Sequence, residues 1–269
     1  MSALIAAFLG AVQGLTEFLP VSSSAHLLLF REFLGWDVGR FGLAFDVACH
    51  AGTLLAVVVF FRDDLLAMAQ SLPRALSASP DEAGRQVQLI ALGTLPIVVV
   101  GLTFQGVIER SLRVPAVTVV ALSLGAVAFF AVERMARGTR DSRSLTWPAA
   151  LVIGGAQAVA LIPGVSRSGA TIVVGMALGL SRAAAARFGF LLGIPAIVAA
   201  AWRTAMTLDA ADLTGSVAMA MLVGLVASAV VGYAVIAWFL RYLAKHPLDV
   251  FAYYRLGLSG AVLVWLLGT

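Results

Sequence analysis

The stretch GAVQGLTEFLPVSSSAH at residues 10–26 decides the architecture, because the chain carries it a second time. The second copy reads GGAQAVALIPGVSRSGAT at residues 154–171. Each copy has an apolar segment, then a break at proline, and then a group of hydroxyl side chains. A shift of 144 positions, from 10 to 154, aligns identical residues at Gly10 and Gly154, Gln13 and Gln157, Val21 and Val165, Ser22 and Ser166, and Ser24 and Ser168. The repetition predicts two similar halves.

The composition places these halves in a membrane. Of the 269 residues, 61% are hydrophobic and 12% are charged, whereas soluble domains average about 25% charged residues. We therefore expect one all-α integral membrane domain that crosses the bilayer several times. The chain lacks a Gly-Lys-Ser/Thr nucleotide loop, and we expect no nucleic-acid partner.

Each copy of the motif follows an apolar segment that is too short to cross a bilayer. Residues 3–19 and 148–162 fall below the roughly 20 residues that a span needs. We predict that each enters the membrane, breaks at proline and continues as a short helix. In the first copy this helix starts between Ser22 and Ser24 and runs through Phe33, and in the second it covers 169–180. Each half thus begins with a re-entrant helix pair.

Longer apolar segments are predicted to span the membrane completely. Between them, residues 62–86, 134–147 and 241–250 are polar, and residues 71–86 are predicted to be an exposed loop because they contain prolines, serines and charges. The six predicted spans are 40–61, 87–107, 114–132, 184–202, 213–240 and 251–268.

The predicted spans give two repeats of opposite orientation. Repeat one covers about 1–133 and repeat two about 145–269, each with a re-entrant pair and about three spans. An odd number of spans inverts the second repeat, so we predict inverted-topology repeats whose broken helices meet near the midplane. The three polar loops named above hold nine Lys and Arg, against five in the opposite loops at 27–40, 108–113 and 203–213. The positive-inside rule therefore assigns the first set to the cytoplasm.

The polar side chains of the motifs require an explanation, because polar groups are costly to bury in so apolar a chain. A charge at the centre of a membrane helix costs roughly 2.5–3.5 kcal/mol on insertion scales. One alternative is that Glu17 and Arg167 form only a structural ion pair that locks the repeats together, but this alternative does not explain the six hydroxyls around the two helix starts. Those hydroxyls belong to Ser22, Ser23, Ser24, Ser166, Ser168 and Thr171.

The same side chains suit a phosphate and a divalent cation. Helix N-termini bind anions through their free N–H groups, and Arg167 supplies a planar fork that matches phosphate oxygens. Glu17 would repel an anion, and a cation resolves this, because magnesium binds one or two carboxylates together with phosphate oxygens and water. Glu17 with Gln13, one helical turn earlier, is therefore a candidate metal or base position, and His26 titrates near neutral pH. The set predicts phosphoryl transfer.

The two motifs resemble the signatures of the undecaprenyl-diphosphate phosphatase family of the bacitracin-resistance type. The resemblance rests on Gln13-x-x-x-Glu17-Phe-Leu-Pro-Val-Ser-Ser with His26, and on Pro163-Gly-x-Ser-Arg-Ser-Gly-x-Thr171. It implies removal of the terminal phosphate of undecaprenyl diphosphate, which recycles the lipid carrier for cell-wall synthesis and removes the target of bacitracin. It also implies Mg²⁺ or Ca²⁺ as cofactor, a homodimer, and an active site on the outer side of the bacterial cytoplasmic membrane.

Residue by residue, the resemblance implies catalytic roles for Glu17, Ser23, His26 and Arg167. The motif hydroxyls of Ser22, Ser24, Ser166, Ser168 and Thr171, with Arg167, become candidate phosphate ligands. Some family members have Glu where this chain has Gln13, which leaves Glu17 as the surer metal carboxylate. His50 and Thr53, which the family often keeps as His-x-Gly-Thr, and Gln157 are expected to support the site from behind.

Two questions stay open at this stage. The nucleophile is either Ser23, activated by His26, or a water activated by the metal. The function is either hydrolysis or transport, because inverted repeats with broken helices are also found in secondary transporters. In the transport alternative, the same site passes a polyprenyl diphosphate or another anion across the membrane. Pure anion binding has no need of Glu17 with His26, and this favours the enzyme.

The loop assignment is testable by labelling. Single cysteines at Ser79 and Ser142, in a Cys49→Ala background, should resist an impermeant thiol reagent added to intact cells, because both lie in loops assigned to the cytoplasm. Both should react once the cells are made permeable. Labelling of either position from outside would reverse the topology.

Overall fold

A computed structural model describes residues 2–33, 40–77, 79–135, 138–206 and 215–268. The predicted loops 27–40 and 203–213 therefore lie partly outside the described residues. The described chain is built from helices: α1 Ala3–Phe18, α2 Ser23–Phe33, α3 Arg40–Phe60, α4 Arg62–Gln70, α5 Leu72–Ala75, α6 Glu82–Val107, α7 Pro115–Met135, α8 Trp147–Val159, α9 Arg167–Ala177, α10 Arg182–Ala205, α11 Gly215–Leu243 and α12 Asp249–Gly268. A π-helical turn, Ile108–Leu112, extends α6, and a 3₁₀ turn, Ser142–Ser144, precedes α8.

The long helices confirm a multi-pass membrane protein. Within the described ranges, five helices are long and apolar enough to cross a membrane, namely α6, α7, α10, α11 and α12. A sixth span exists only if Ala44–Phe60 and Arg62–Gln70, which bend by 74° at their junction, count as one. The helices α1 and α8 are apolar but shorter, as predicted for the re-entrant segments.

The prediction of an exposed loop over 71–86 is wrong in part, because its loop signals are helix caps. Pro73 lies in the first turn of α5, where a missing N–H costs nothing. Asp81 precedes α6 and accepts hydrogen bonds from Gly84 N at 2.9 Å and Arg74 Nη1 at 3.0 Å. These contacts hold the pKa of Asp81 below its ordinary value, and the hydrogen bond from Gly84 has the largest effect. As a result α6 begins at Glu82, five residues before the predicted span at 87.

The sequence repeat reappears in the helix bounds. The helices after the two breaks, α2 and α9, are both 11 residues long, and each bound of α9 lies 144 positions after its counterpart in α2. The short helices before the breaks begin at Ala3 and Trp147, the same distance apart. The prediction for α9 began two residues too late and ended three too late, because Ser166 caps the helix by accepting from Gly169 N. Inversion of the repeats relative to the membrane stays a prediction.

The helices group into two compact units. The first contains Met1–Leu19, Ser23–Phe60 and Ile194–Phe239. In it α1 packs closely on α11, because a Cβ at Gly10 would lie 2.5 Å from Gly224 O and one at Gly14 would lie 2.6 Å from Ser228 O. Small residues that let helix backbones touch are the usual basis of packing in membranes.

The second unit contains Pro20–Ser22, Phe61–Gly193 and Leu240–Thr269. In it α6 meets α8 at a backbone contact where a Cβ at Gly93 would lie 3.0 Å from Ala150 O. Arg182 of α10 forms a two-pronged ion pair with Glu133 of α7, and Glu133 Oε1 also accepts from Leu248 N at 2.8 Å. These polar contacts tie the ends of the long helices together.

Candidate active site

The carboxylate of Glu17 joins the end of α1 to the start of α2 in the first unit. Its Oε2 atom accepts a hydrogen bond from Gln13 Nε2 at 3.0 Å and another from Ser23 Oγ at 2.8 Å. Gln13 is fully buried, whereas Glu17 and Ser23 are partly exposed. The structure therefore brings together three predicted site residues.

The hydrogen bond from Ser23 to Glu17 has a chemical meaning. A serine hydroxyl becomes a useful nucleophile when a base stands ready to take its proton. The proton of Ser23 points to a carboxylate, so Glu17 is a candidate base in addition to His26. His26 lies three residues after Ser23 on α2 and is 5% exposed.

The same group of side chains fits a hard cation. Across the described ranges, no three His, Cys, Asp or Glu side chains cluster closely enough to hold a metal ion by themselves. The Oε1 atom of Gln13, however, is buried beside the carboxylate of Glu17 and has no hydrogen-bond partner among the described residues. An amide oxygen and one carboxylate, completed by phosphate and water oxygens, match the ligands of magnesium or calcium.

Gln157, the counterpart of Gln13 in the second repeat, is also fully buried. Neither its Oε1 nor its Nε2 atom has a hydrogen-bond partner among the described residues. An unsatisfied buried amide costs about 1–3 kcal/mol, so both repeats keep an expensive side chain at the same point of the helix before the break. Its supporting role remains a prediction.

Strained backbone marks the break in both repeats. Ser22 and Ser166 both have φ 71°, and they are the non-glycine residues with positive φ in the part of the chain described. Such conformations cost on the order of 1–3 kcal/mol and collect at functional sites. The doubled motif is thus a doubled backbone geometry, which presents Ser23 and Arg167 at equivalent helix starts.

The hydroxyls of the second motif form hydrogen bonds within the first turn of α9. Ser166 Oγ accepts from Gly169 N at 3.3 Å and lies 3.2 Å from Ser168 Oγ. Thr171 instead donates to the carbonyls of Arg167 at 3.0 Å and Ser168 at 3.2 Å, the back-bonding expected of a hydroxyl inside a helix. Among these predicted phosphate ligands, Thr171 has its proton committed to its own helix. Ser24, in the first repeat, is exposed on α2.

The guanidinium of Arg167 lies against α10. Its Nη1 atom donates to Gly193 O at 2.9 Å, and a Cβ at Gly193 would collide with this nitrogen. Glycine at this position therefore makes room for the arginine. Arg167 is partly exposed.

His50 and Thr53 are bonded within their own helix. His50 Nδ1 donates to Asp46 O at 2.8 Å, and Thr53 Oγ1 donates to His50 O at 2.9 Å. Their predicted role behind the site stays a prediction.

A fully buried arginine, Arg255 of α12, was not among the predicted site residues. It donates to carbonyls in both motif turns, at Pro20, Gly164 and Val165. The available signal was its charge, because it is the one charged residue in the predicted span 251–268.

Comparison with known proteins identifies the family of the chain. The undecaprenyl-diphosphatase of Rubrobacter xylanophilus is 46% identical to this chain over 98% of both chains. The undecaprenyl-diphosphatase 2 of Stutzerimonas stutzeri is 47% identical over 95% of both, and the undecaprenyl-diphosphatase of Kineococcus radiotolerans is 44% identical over 97% of this chain and 92% of its own. The model of the bacitracin resistance protein BacA family matches residues 6–261, and the chain therefore belongs to that family.

Proposed function

We propose that the chain hydrolyses undecaprenyl diphosphate to undecaprenyl phosphate and inorganic phosphate. Its family and the names of its relatives support this activity. The observation in the structure that carries it is the 2.8 Å hydrogen bond from Ser23 to Glu17 at the start of α2. The reaction recycles the lipid carrier and gives resistance to bacitracin.

In the proposed reaction Ser23 Oγ attacks the terminal phosphorus of the substrate. The bond from that phosphorus to the bridging oxygen breaks, undecaprenyl phosphate leaves, and the proton of Ser23 passes to Glu17 Oε2, its hydrogen-bond acceptor. Water then attacks the phosphoserine, releases inorganic phosphate and restores the hydroxyl. His26 is the second candidate for the proton, and attack by water on the diphosphate itself is the competing route.

The proposed cofactor is Mg²⁺ or Ca²⁺, held by Glu17 with Gln13. A bound cation would neutralise charge on the phosphate oxygens. Gln13 contributes the buried oxygen that lacks a hydrogen-bond partner in the described part of the chain, and the bond from its Nε2 atom orients the carboxylate of Glu17.

In the second motif, we assign Arg167 to the phosphate oxygens. Phosphoryl transfer spreads negative charge over the equatorial oxygens, so catalysis depends on positioned donors. The contact with Gly193 O fixes one arm of the guanidinium. Ser22, Ser24, Ser166 and Ser168 are the proposed supporting ligands of the same class, and Thr171 is the weakest of the set because it bonds its own helix.

The proposed setting is the bacterial cytoplasmic membrane, with the site opening to the outer side and the protein acting as a homodimer. Its lipid substrate reaches the site from the bilayer. Transport by the same fold predicts anion binding without phosphate release. Purified protein given magnesium and a polyprenyl diphosphate distinguishes the two, because only the enzyme releases inorganic phosphate.

Removal of divalent cations should abolish activity. We expect excess EDTA to stop phosphate release and magnesium or calcium to restore it, because Glu17 would otherwise face an anionic substrate uncompensated. The measurement is phosphate release before and after restoring each metal. Unchanged hydrolysis in excess EDTA would remove the cation from the mechanism.

Removal of the nucleophile should abolish nearly all activity. Ser23→Ala and His26→Ala should each lose most turnover, since one removes the attacking oxygen and the other a candidate acceptor for its proton. Ser142→Ala, in the polar connector before α8, is the matched control and should turn over normally. If Ser23→Ala keeps a near wild-type rate, water is the nucleophile.

Arg167→Lys distinguishes a phosphate-binding role of Arg167 from a purely structural ion pair with Glu17. Lysine keeps the charge but loses the rigid fork, so we expect substrate binding to survive and kcat to fall about a hundredfold, the usual effect of losing one positioned donor. Gly193→Ala should act in the same direction, because its Cβ displaces the guanidinium. A kcat for Arg167→Lys within about threefold of wild type, under 1 kcal/mol in barrier, would leave Arg167 a structural role only.

A further inference from the structure

The buried arginine of α12 uses every donor that it has. A guanidinium carries five N–H groups, and Arg255, 0% exposed, makes five hydrogen bonds, all to main-chain carbonyls. The acceptors are Leu122 for Nε at 3.2 Å, Pro20 and Val165 for Nη1 at 3.2 and 3.1 Å, and Ala121 and Gly164 for Nη2 at 3.0 and 2.9 Å. All of these residues belong to the second compact unit.

The two arms of this guanidinium hold equivalent points of the two motifs. Pro20 and Gly164 are 144 positions apart, the offset that aligns the repeats. Nη1 binds the carbonyl of the first and Nη2 that of the second. Each carbonyl lies two residues before a serine with φ 71°, Ser22 or Ser166. One side chain thus connects the two strained turns.

The surroundings are shaped for this guanidinium. A Cβ at Gly125 of α7 would collide with it. The ring of Phe129, one turn later, lies 5.3 Å from the guanidinium carbon and packs on α9, where a Cβ at Gly169 would come within 3.0 Å of the ring. Arg255 therefore has little freedom to move without moving the first turn of α9.

Charge balance argues against a role in stability alone. Among the described residues, no carboxylate pairs with Arg255, so carbonyl dipoles and the face of the Phe129 ring compensate its charge. A buried ionic group is a poor source of stability compared with apolar packing, and a charge inside a membrane helix marks function by default. What this residue supplies, and an apolar one cannot, is a rigid planar contact to both turns.

We propose that Arg255 is a positioning residue that sets the two motif turns relative to each other. Through Pro20 it fixes the turn that leads to Ser23, and through Gly164 and Val165 it fixes the turn that leads to Arg167. It acts through these turns, without touching the substrate. The inference rests on the proposed diphosphatase activity.

The test replaces the fork and keeps the charge. Arg255→Lys has three donors in place of five, so the turns lose their common anchor, and a small misplacement of catalytic groups can cost up to about a hundredfold in rate. We expect kcat to fall about 10- to 100-fold with KM within about threefold. Arg182→Lys, which perturbs the ion pair with Glu133 in the same unit, is the matched control and should lower thermal stability with kcat unchanged.

Hydrogen–deuterium exchange provides a readout that is independent of activity. In Arg255→Lys, exchange should rise together in peptides covering residues 18–25 and 162–170, and stay unchanged in peptides covering α11. In Arg182→Lys neither turn should change. If the wild-type protein released no phosphate, the proposed function would fail, while the exchange result would still judge the link between the turns.

Gly125→Ala provides a second variant, because it displaces the guanidinium while Arg255 stays in the sequence. It should reproduce both the loss of kcat and the paired rise in exchange. A folded Arg255→Lys with kcat within threefold of wild type, or with exchange raised evenly along the chain, would overturn the proposal. Failure of both variants to fold would also overturn it, since Arg255 would then be a folding residue only.

Discussion

The structure depends on how the main-chain carbonyls at two helix breaks find donors. In an apolar environment every backbone polar group must be satisfied inside the protein, and a break releases carbonyls that a continuous helix would bond. The planar guanidinium of Arg255 donates hydrogen bonds to carbonyls of both breaks and of α7. The short helices α2 and α9 can therefore begin abruptly, with Ser23 and Arg167 in their first positions.

Close approach of helices makes this polar arrangement possible. Glycines allow α1 to touch α11 in the first unit and leave room for arginine side chains at Gly125 and Gly193 in the second. The absence of a side chain at these points lets a large cation lie against another helix. Arg255 and Arg167 each donate to a backbone carbonyl there, so small and charged residues act as pairs.

Local signals allowed much of the fold to be predicted. Composition predicted the membrane class. Proline breaks, hydroxyl groups and segment length, which act over a few residues, predicted the short helices and the start of α2. Asp81 and Pro73 were misread because the same residue types mark loops and helix starts. The contacts of Arg255 lie up to 235 positions away in the chain, and nothing in the nearby sequence specifies them.

The candidate site divided in the same way. The spacing of Gln13 and Glu17 predicted one pair, and the family resemblance added Ser23; in the structure the three side chains are hydrogen-bonded. The direction of the bond from Ser23, which makes Glu17 a candidate base, depends on the angle of the chain at the break, and composition says nothing about that angle. The metal and the catalytic roles stay predictions.

The two serines at φ 71° carry a consequence for adaptation. Glycine adopts such a backbone at little cost, so a lineage living at high temperature has an easy stabilising substitution available at Ser22 and at Ser166. Accepting it would remove a hydroxyl from each half of the chain. In the proposed function these hydroxyls bind phosphate, so heat tolerance and phosphate binding would compete at these two positions, and because the geometry is duplicated, the conflict would arise twice in every molecule.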